Sequence, residues 1–189
     1  MIEIMLAHLN VLRHIKRSFR EGQHLFHLDD VVKSMFLIEV GTAQLVRHHP
    51  NGSAVVLQRA NPGAVLAEAS LFTPEYHCDA IALSSVQARI VSRAAVQQLF
   101  YSNPDFAKAW VAHLGKEVRS ARLRAEILTL KTVAERLDAW LADHGQLPKK
   151  GGWKVIAHEI GTSPEALYRE IARRDPMDHN DRTLSTSRA

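Results

Sequence analysis

The sequence predicts an α+β protein in which an N-terminal β jelly-roll or β-roll is followed by a long helix and a C-terminal helix-turn-helix. Three observations support this fold class. Glycines in turn-like company separate short apolar or alternating runs over the first hundred residues. The stretch 105–131 then has helical periodicity and no internal proline, and two short helical segments flank Gly161. The predicted domains are 1–103 (β-roll), 104–131 (long helix) and 132–174 (helix-turn-helix), with 175–189 as a disordered tail.

The predicted strands are the runs between the glycines. Short strands at this spacing, separated by turn residues, are typical of a sandwich or a jelly-roll barrel. Asn51-Gly52 lies between two of the runs and is a strong hairpin signal. The runs are 24–28, 34–39, 43–47, 54–58 and 86–91.

The pattern changes to helix after Ser92. A short helix over 93–100 should end at Asn103-Pro104, and the long helix follows. Its apolar stripe has steps of four, four, three, four and three, close to the period of a coiled coil. Packing on its own barrel and two-fold pairing with a second copy both explain such a stripe. The stripe residues are Trp110, Leu114, Val118, Ala121, Ala125 and Leu128.

Thr132 and Glu135 have the spacing of a capping box, which predicts the start of a helix over 133–144. Two short helices around a tight turn are predicted for 154–174. Gly161 is free to take the positive φ that such a turn needs. Ser163 and Pro164 are favoured at the N-cap and first position of the second helix. This pattern is typical of a helix-turn-helix, whose second helix enters the major groove of DNA, and an ordinary helical hairpin is the alternative. The residues expected at a DNA surface are Thr162, Ser163, Pro164, Glu165, Tyr168, Arg169 and Arg173.

Composition restricts the class of protein further. The formal net charge of +4 is compatible with a polyanionic partner, and the single cysteine, Cys78, excludes an intramolecular disulfide. No apolar run approaches the length of a membrane span, and the N-terminus lacks the blocks of a signal peptide. A cytoplasmic protein is therefore expected.

The chain resembles the Crp/Fnr family of bacterial transcription regulators over residues 18–174. The matching segments occur in the family's order: Arg20-Glu-Gly22, Met35-Phe-Leu-Ile-Glu-Val-Gly41, Asn61-Pro-Gly63, Glu68-Ala-Ser-Leu-Phe72, Asn103-Pro-Asp105 and the helix-turn-helix. The resemblance implies an N-terminal sensor domain, a homodimer formed by the long helix, and paired helices that read a palindromic operator in double-stranded DNA. RNA polymerase is a further partner that it implies.

The resemblance also implies which side chains read bases. Family recognition helices present a Glu and, four residues later, an Arg, which here are Glu165 and Arg169. One helical turn separates them, so both would face one groove. Arg can donate bidentately to guanine, and Glu can accept from the amino group of cytosine.

The sensor departs from the relatives that bind cyclic AMP. The family's Gly-Glu and Arg-Ser correspond here to Ala67-Glu68 and Cys78-Asp79, so the arginine that pairs with the cyclic phosphate is missing. An unpaired like-charge contact costs on the order of several kcal/mol in a partly buried site. Cyclic AMP is therefore not expected as the effector, whose identity stays open. The predicted effector-pocket residues are Glu68, Cys78, Asp79 and Arg122.

Other chemistry in the sensor stays open at this stage. Cys78 is either a reactive thiol next to His77 or, as we favour, an inert half-buried cysteine. His24 and His27, with His77 and Cys78, could converge on a metal. On a regular strand, however, residues three apart point to opposite faces, so solvated histidines are preferred and no metal or other cofactor is assigned. Abundance alone could also set activity, without a ligand.

Two alternative functions accompany this interpretation. The tail after Arg174 is polar and lacks the family's β-hairpin wing, and Glu170 occupies a position that is usually apolar, where Ile171 could substitute. The first alternative is therefore a dimeric regulatory module with weak or lost DNA binding. The second is a metal-dependent enzyme of the cupin type, which is disfavoured because the histidine spacing does not fit and no nucleophile or phosphate-loop motif is present.

Overall fold

The computed structural model describes residues 2–49 and 54–174. The chain divides into two compact units, Met1–Lys116 and Glu117–Ala189, which are described separately below. Within the described ranges, no helix combines the length and the apolar character needed to cross a bilayer. The predicted domain limits stay predictions, as does the predicted disorder of 175–189, which lies outside the described residues.

The N-terminal unit confirms the predicted α+β class. Its eight strands form two four-stranded antiparallel sheets, with strand orders β1-β8-β3-β6 and β2-β7-β4-β5. The strands are β1 (His14–Phe19), β2 (His24–Phe26), β3 (Ser34–Val40), β4 (Ala43–His48), β5 (Ala54–Ala60), β6 (Val65–Leu66), β7 (Asp79–Ala82) and β8 (Val86–Ser92).

Three strands and one helix were not among the predicted elements. The first helix, α1, spans Ile2–Val11 and buries Met5 and Leu9 in the core of the unit. The two buried residues are only one helical turn apart, and an apolar pattern this short does not predict a helix. The assignment of the first hundred residues to β structure was therefore wrong for this segment. The missed strands are β1, β6 and β7. The predicted turn at Asn51-Gly52 lies outside the described residues, although β4 and β5 on either side of it do pair antiparallel.

Aromatic side chains fill the space between the two sheets. Phe26 stacks on Tyr76 with ring centroids 4.0 Å apart and also contacts Phe36 at 5.4 Å. The Tyr76 hydroxyl donates to the carbonyl of Ser34 at 2.9 Å, so the buried phenol keeps a hydrogen-bond partner. Cys78 belongs to the same buried cluster. This packing fixes β7 and the segment before it, where the candidate sensor residues lie.

Two helices follow β8. Helix α2 (Arg93–Ser102) starts at Ser92, whose side chain accepts from the Ala95 N–H at 3.2 Å. Helix α3 (Pro104–Thr129) starts with Asn103 Oδ1 accepting from the Phe106 N–H at 2.9 Å. The predicted break at Asn103-Pro104 is confirmed.

Up to Arg174, where the described residues end, the C-terminal unit contains the end of α3 and the α-helices α4 (Val133–His144), α5 (Trp153–Glu159) and α6 (Pro164–Arg174), with a short 3-10 helix at Lys150–Gly152. The predicted capping box at the start of α4 is present, with Glu135 N–H donating to Thr132 Oγ1 at 3.1 Å and Thr132 N–H donating to Glu135 Oε2 at 2.9 Å. One apolar cluster holds these helices together. Its buried members are Ile127, Leu137, Trp140, Ile156, Ala157, Ile160, Leu167 and Ile171.

Candidate nucleic-acid interface and sensor pocket

The turn between α5 and α6 requires glycine. Gly161 has φ 65°, and a Cβ at this position would lie 2.3 Å from Cδ2 of Leu128. The backbone continues with the Thr162 N–H donating to the Ala157 carbonyl at 2.8 Å. The positive φ therefore favours glycine here, as the sequence pattern predicted, and any side chain would also have to displace the end of Leu128.

Arg136 of α4 holds this turn in place. Its Nε donates to the carbonyl of Leu130 at 2.9 Å, and its Nη1 donates to the carbonyls of Gly161 at 2.8 Å and Ile160 at 3.2 Å. One guanidinium therefore joins the end of α3 to the turn that starts α6. The sequence gives no signal for this role, because the acceptors are backbone carbonyls that no residue type identifies.

The N-terminal end of α6 is capped and open to solvent. Ser163 Oγ accepts from the Ala166 N–H at 3.2 Å, and Pro164 occupies the first helical position. Leu167 is buried, whereas Glu165 and Arg169 are exposed. The two side chains that the resemblance assigns to base reading thus lie on the solvent face of a helix whose other face is anchored.

Charge at this end of α6 includes a residue that sequence reasoning missed. The pKa of Glu165 lies below its ordinary value because of hydrogen bonds at its own backbone N–H and at Ser163, helped by the positive charges of Lys154 and Arg169. Lys154 at the start of α5 is exposed and therefore adds a second cation beside the same surface.

Two of the remaining three predicted DNA-surface residues already have partners within the unit. Tyr168 is half-buried, and its ring lies 5.5 Å from that of Trp153. Arg173 forms an ion pair with Glu170, with Nη2 and Oε1 2.8 Å apart. Thr162 is half-buried next to the turn. The expectation that these three residues lie at a DNA surface stays a prediction.

A carboxylate is tolerated at position 170, which is usually apolar, because Glu170 pairs with the two arginines Arg173 and Arg174. Its side chain is only 11% exposed and pairs with both Arg173 and Arg174, while Arg174 also binds Asp138 and donates to the carbonyl of Ala134 on α4. These hydrogen bonds from Arg173 and Arg174 lower the pKa of Glu170 to about 2. Ile171 takes the buried apolar position instead, as proposed from the sequence.

The ion pairs of Glu170 with Arg173 and Arg174 should make the stability of the C-terminal unit fall at acid pH. The pKa of Glu170 is lower in the folded chain than its ordinary value of 4.5, so its contribution to stability is complete above that pH and is lost as the pH falls towards 2. Arg174→Ala should lower the free energy of unfolding by about 1–2 kcal/mol at pH 7, and by progressively less below pH 5. Urea denaturation of the wild type and of Arg174→Ala from pH 7 to pH 3 measures the loss of stability and its pH dependence. A loss of stability that does not change with pH would contradict an ion pair between Arg174 and Glu170.

The apolar stripe on α3 differs from the predicted one at its first residue. Trp110 is fully buried in the core of the N-terminal unit, 5.5 Å from the ring of Phe106, and so is not available to a second copy. Its neighbour Val111 is 60% exposed and completes a heptad pattern with alternating steps of three and four. Leu114 is half-buried, and the other members are exposed. The corrected stripe is Val111, Leu114, Val118, Ala121, Ala125 and Leu128.

The sensor segment has a left-handed backbone conformation at Ala67, the position where the resemblance places a glycine. Ala67 has φ 69° and ψ 13°, a left-handed conformation, and the buried Glu68 begins a short 3-10 turn, Glu68–Ser70. Cys78 is buried nearby, and the charge of Glu68 acts on its thiol. Arg47 of β4 donates to the carbonyl of His77, a contact that sequence reasoning missed.

Two predicted pocket residues have different surroundings. Asp79 directs its carboxylate oxygens to the Leu28 N–H at 3.0 Å and to Nδ1 of His48 at 3.1 Å. Side chains of adjacent residues on a strand point to opposite faces, so the Asp79 side chain points away from the core in which Cys78 is buried. Arg122 is exposed on α3, and its assignment to the pocket stays a prediction.

Cys78 is not poised for redox chemistry. Burial raises the pKa of its thiol to about 11, which outweighs the opposite effect of the Arg47 charge. At pH 8 the thiolate fraction should therefore be about a hundredfold lower than for an ordinary cysteine. We expect iodoacetamide to alkylate the native protein at least about a hundredfold more slowly than the urea-unfolded chain. Comparable rates in the two states would identify a reactive thiol.

The comparisons with known proteins agree with this architecture. Residues 16–103 match the cyclic nucleotide-binding domain family. Among solved structures, FixK2 from Bradyrhizobium japonicum is 19% identical with a TM-score of 0.68, covering 86% of this chain and 84% of that chain. The c-di-GMP-responsive global regulator CLP from Xanthomonas campestris is 19% identical with a TM-score of 0.61, covering 93% and 90%. The catabolite activator protein of Thermus thermophilus is 22% identical with a TM-score of 0.55, covering 91% and 81%.

A search of curated proteins found no match. The class defined by fold and site is an N-terminal domain of the cyclic nucleotide-binding type followed by a helical unit, as in solved transcription regulators. Residues 16–103 are similar to the cyclic nucleotide-binding domain family, and the resemblance of the chain to the Crp/Fnr regulators is confirmed at the level of fold.

Proposed function

We propose that the protein is a cytoplasmic, homodimeric transcription regulator that reads a palindromic operator with α6 of each copy. The observation that carries the proposal is the pair Glu165 and Arg169, both exposed one turn apart on the capped end of a helix whose other face is buried. An arginine and a glutamate so placed match the donor and acceptor edges of guanine and cytosine in a major groove. The proposal assigns no catalytic role.

The mode of docking follows from the open end of α6. The Ser163-capped turn and the exposed Lys154 would contact phosphates, which fixes position, while Glu165 and Arg169 discriminate bases. Two copies joined along the corrected stripe on α3 would present two such helices. Half-sites about 34 Å apart on one face of the DNA are expected for a two-fold arrangement of this kind. RNA polymerase is the proposed partner of the bound dimer.

Genome-wide footprinting of the purified protein tests this function. Protected fragments should share an inverted repeat, and the genes beside them would indicate the signal. Protection spread evenly over the genome would contradict sequence reading and would favour a regulatory module that does not select its DNA sites.

The proposed regulator does not respond to cyclic AMP. Cys78 occupies the position of the phosphate-pairing arginine, and its side chain is buried and uncharged. Isothermal titration with cyclic AMP should therefore show no binding with a dissociation constant in the micromolar range. Micromolar binding would mean that another cation, with Arg47 the first to test, neutralises the phosphate; loss of that binding in Arg47→Ala would identify it.

A further inference from the structure

Three histidines and one aspartate from adjacent strands meet on the outside of the second sheet. His24 lies on β2, His27 follows the end of β2, His48 ends β4, and Asp79 begins β7. In the sheet, β7 lies between β2 and β4, so Asp79 is in the middle of the group. Donor atoms of His24, His27 and Asp79 all lie within 4.8 Å of one another.

The strand rule that placed His24 and His27 on opposite faces fails for a local reason. The pairing of β2 with β7 shifts register between His24 and Phe26, and the strand ends there. The His27 N–H then donates to Asp30 Oδ2 at 3.1 Å, which starts a turn. As a result the two imidazoles stack with centroids 4.1 Å apart. His77, which the sequence grouped with them, instead lies 3.2 Å from the Ser70 hydroxyl.

The distances around Asp79 suit one small cation. Oδ1 lies 3.5 Å from Nδ1 of His27, and Oδ2 lies 3.1 Å from Nδ1 of His48. A zinc ion with bonds of about 2.0–2.1 Å in a tetrahedron separates its ligand atoms by roughly 3.3 Å. The spacing between Asp79 Oδ1 and His27 Nδ1 is close to that value, and a donor nitrogen of His24 lies within 4.8 Å of both residues' donor atoms, so small side-chain rotations would bring the three ligands onto one ion.

Asp79 is held ready while the histidines stay accessible. The side chain of Asp79 is 13% exposed, and the Leu28 N–H donates to Oδ1 at 3.0 Å, which orients the carboxylate as hydrogen bonds to metal ligands commonly do. The side chains of His27 and His48 are 58% and 52% exposed, which leaves a path for an ion.

We infer that His24, His27 and Asp79 form a binding site for a divalent first-row transition-metal ion, with zinc as the best fit, and that His48 orients Asp79 through its contact with Oδ2. Imidazole nitrogens with one carboxylate suit zinc, nickel, copper and cobalt, whereas magnesium and calcium prefer sites made of oxygen. The inferred metal site does not depend on the proposed DNA binding. The competing explanation is a set of histidine–aspartate hydrogen bonds at the surface, which predicts no ordered metal.

Titration of the untagged, full-length, chelator-treated protein with Zn²⁺ tests the site. We expect one ion per chain, and cobalt in place of zinc should give the strong visible absorption of a tetrahedral site. His27→Gln and Asp79→Asn should each weaken Zn²⁺ binding by about 100-fold or more. Loss of a residue that only hydrogen-bonds to a metal ligand already costs about 10- to 100-fold in affinity. His14→Gln is the matched control, since His14 lies on β1 of the other sheet.

The variants separate loss of the site from loss of the fold. Asp79→Asn removes a ligand that also accepts from Leu28, whereas His27 is an exposed side chain whose replacement should leave the circular dichroism spectrum unchanged. Absence of Zn²⁺ binding in the wild-type protein would overturn the inference. So would binding that His27→Gln leaves intact, or an equal loss in His27→Gln and the His14→Gln control.

Discussion

Ala121→Glu should convert the protein from a dimer to a monomer and abolish operator binding. Ala121 is exposed in the middle of the corrected α3 stripe, at a position equivalent to a core site of a coiled coil. Two-fold pairing would place its carboxylate in the seam next to that of the other copy. Burying two like charges in such a seam costs on the order of 4 kcal/mol, which corresponds to roughly a thousandfold weaker dimer.

Sedimentation equilibrium measures this change, and Ser120→Glu is its control. Ser120 is also exposed on α3 but lies next to the stripe instead of on it, so the same charge there should leave the dimer intact. Operator binding by Ala121→Glu should fall with the dimer, because a single copy offers only one reading helix. A variant that stays dimeric would show that another surface joins the two copies.

Arg169→Ala should cost about 1–3 kcal/mol on the operator and leave binding to unrelated DNA nearly unchanged. Arg169 is exposed one turn after Glu165, and an arginine that donates two hydrogen bonds to guanine contributes to specificity in this range. Fluorescence anisotropy with an operator duplex and a scrambled duplex measures the two affinities at one salt concentration. The change should also relax preference at a single base pair of each half-site.

Arg13→Ala is the control for the loss of one positive charge. Arg13 is exposed in the N-terminal unit, so its removal changes net charge by the same amount without touching α6. Equal losses on the operator and on scrambled DNA for Arg169→Ala would show that this arginine reads phosphate only. In that case the salt dependence of binding would become shallower by about one phosphate contact.

The sequence predicted most where local chemistry determines structure. Gly161, the Ser163-Pro164 start of α6 and the Thr132 capping box each restrict the backbone through a few neighbouring residues, and all three are present. Alternating runs between glycines likewise predicted five of the eight strands. Short elements such as β6, with two residues, have too little pattern to be predicted without their partners.

The site depended more on contacts that are distant in sequence. Arg136 binds carbonyls 24 and 25 residues away, and Asp79 meets His48 from 31 residues away, so neither pairing leaves a local pattern. Trp110 was assigned to the wrong surface because a helix stripe does not indicate which neighbour covers it. The regular heptad starting at Val111 was present in the sequence and could have corrected this assignment.

Selection of binding sites from a randomised pool of double-stranded DNA is the most direct test of whether α6 reads a DNA sequence. Purified wild-type protein should enrich an inverted repeat with half-sites one helical turn apart, and Arg169→Ala should enrich the same spacing with one position relaxed. A pool that yields no consensus after repeated rounds would contradict sequence reading by α6.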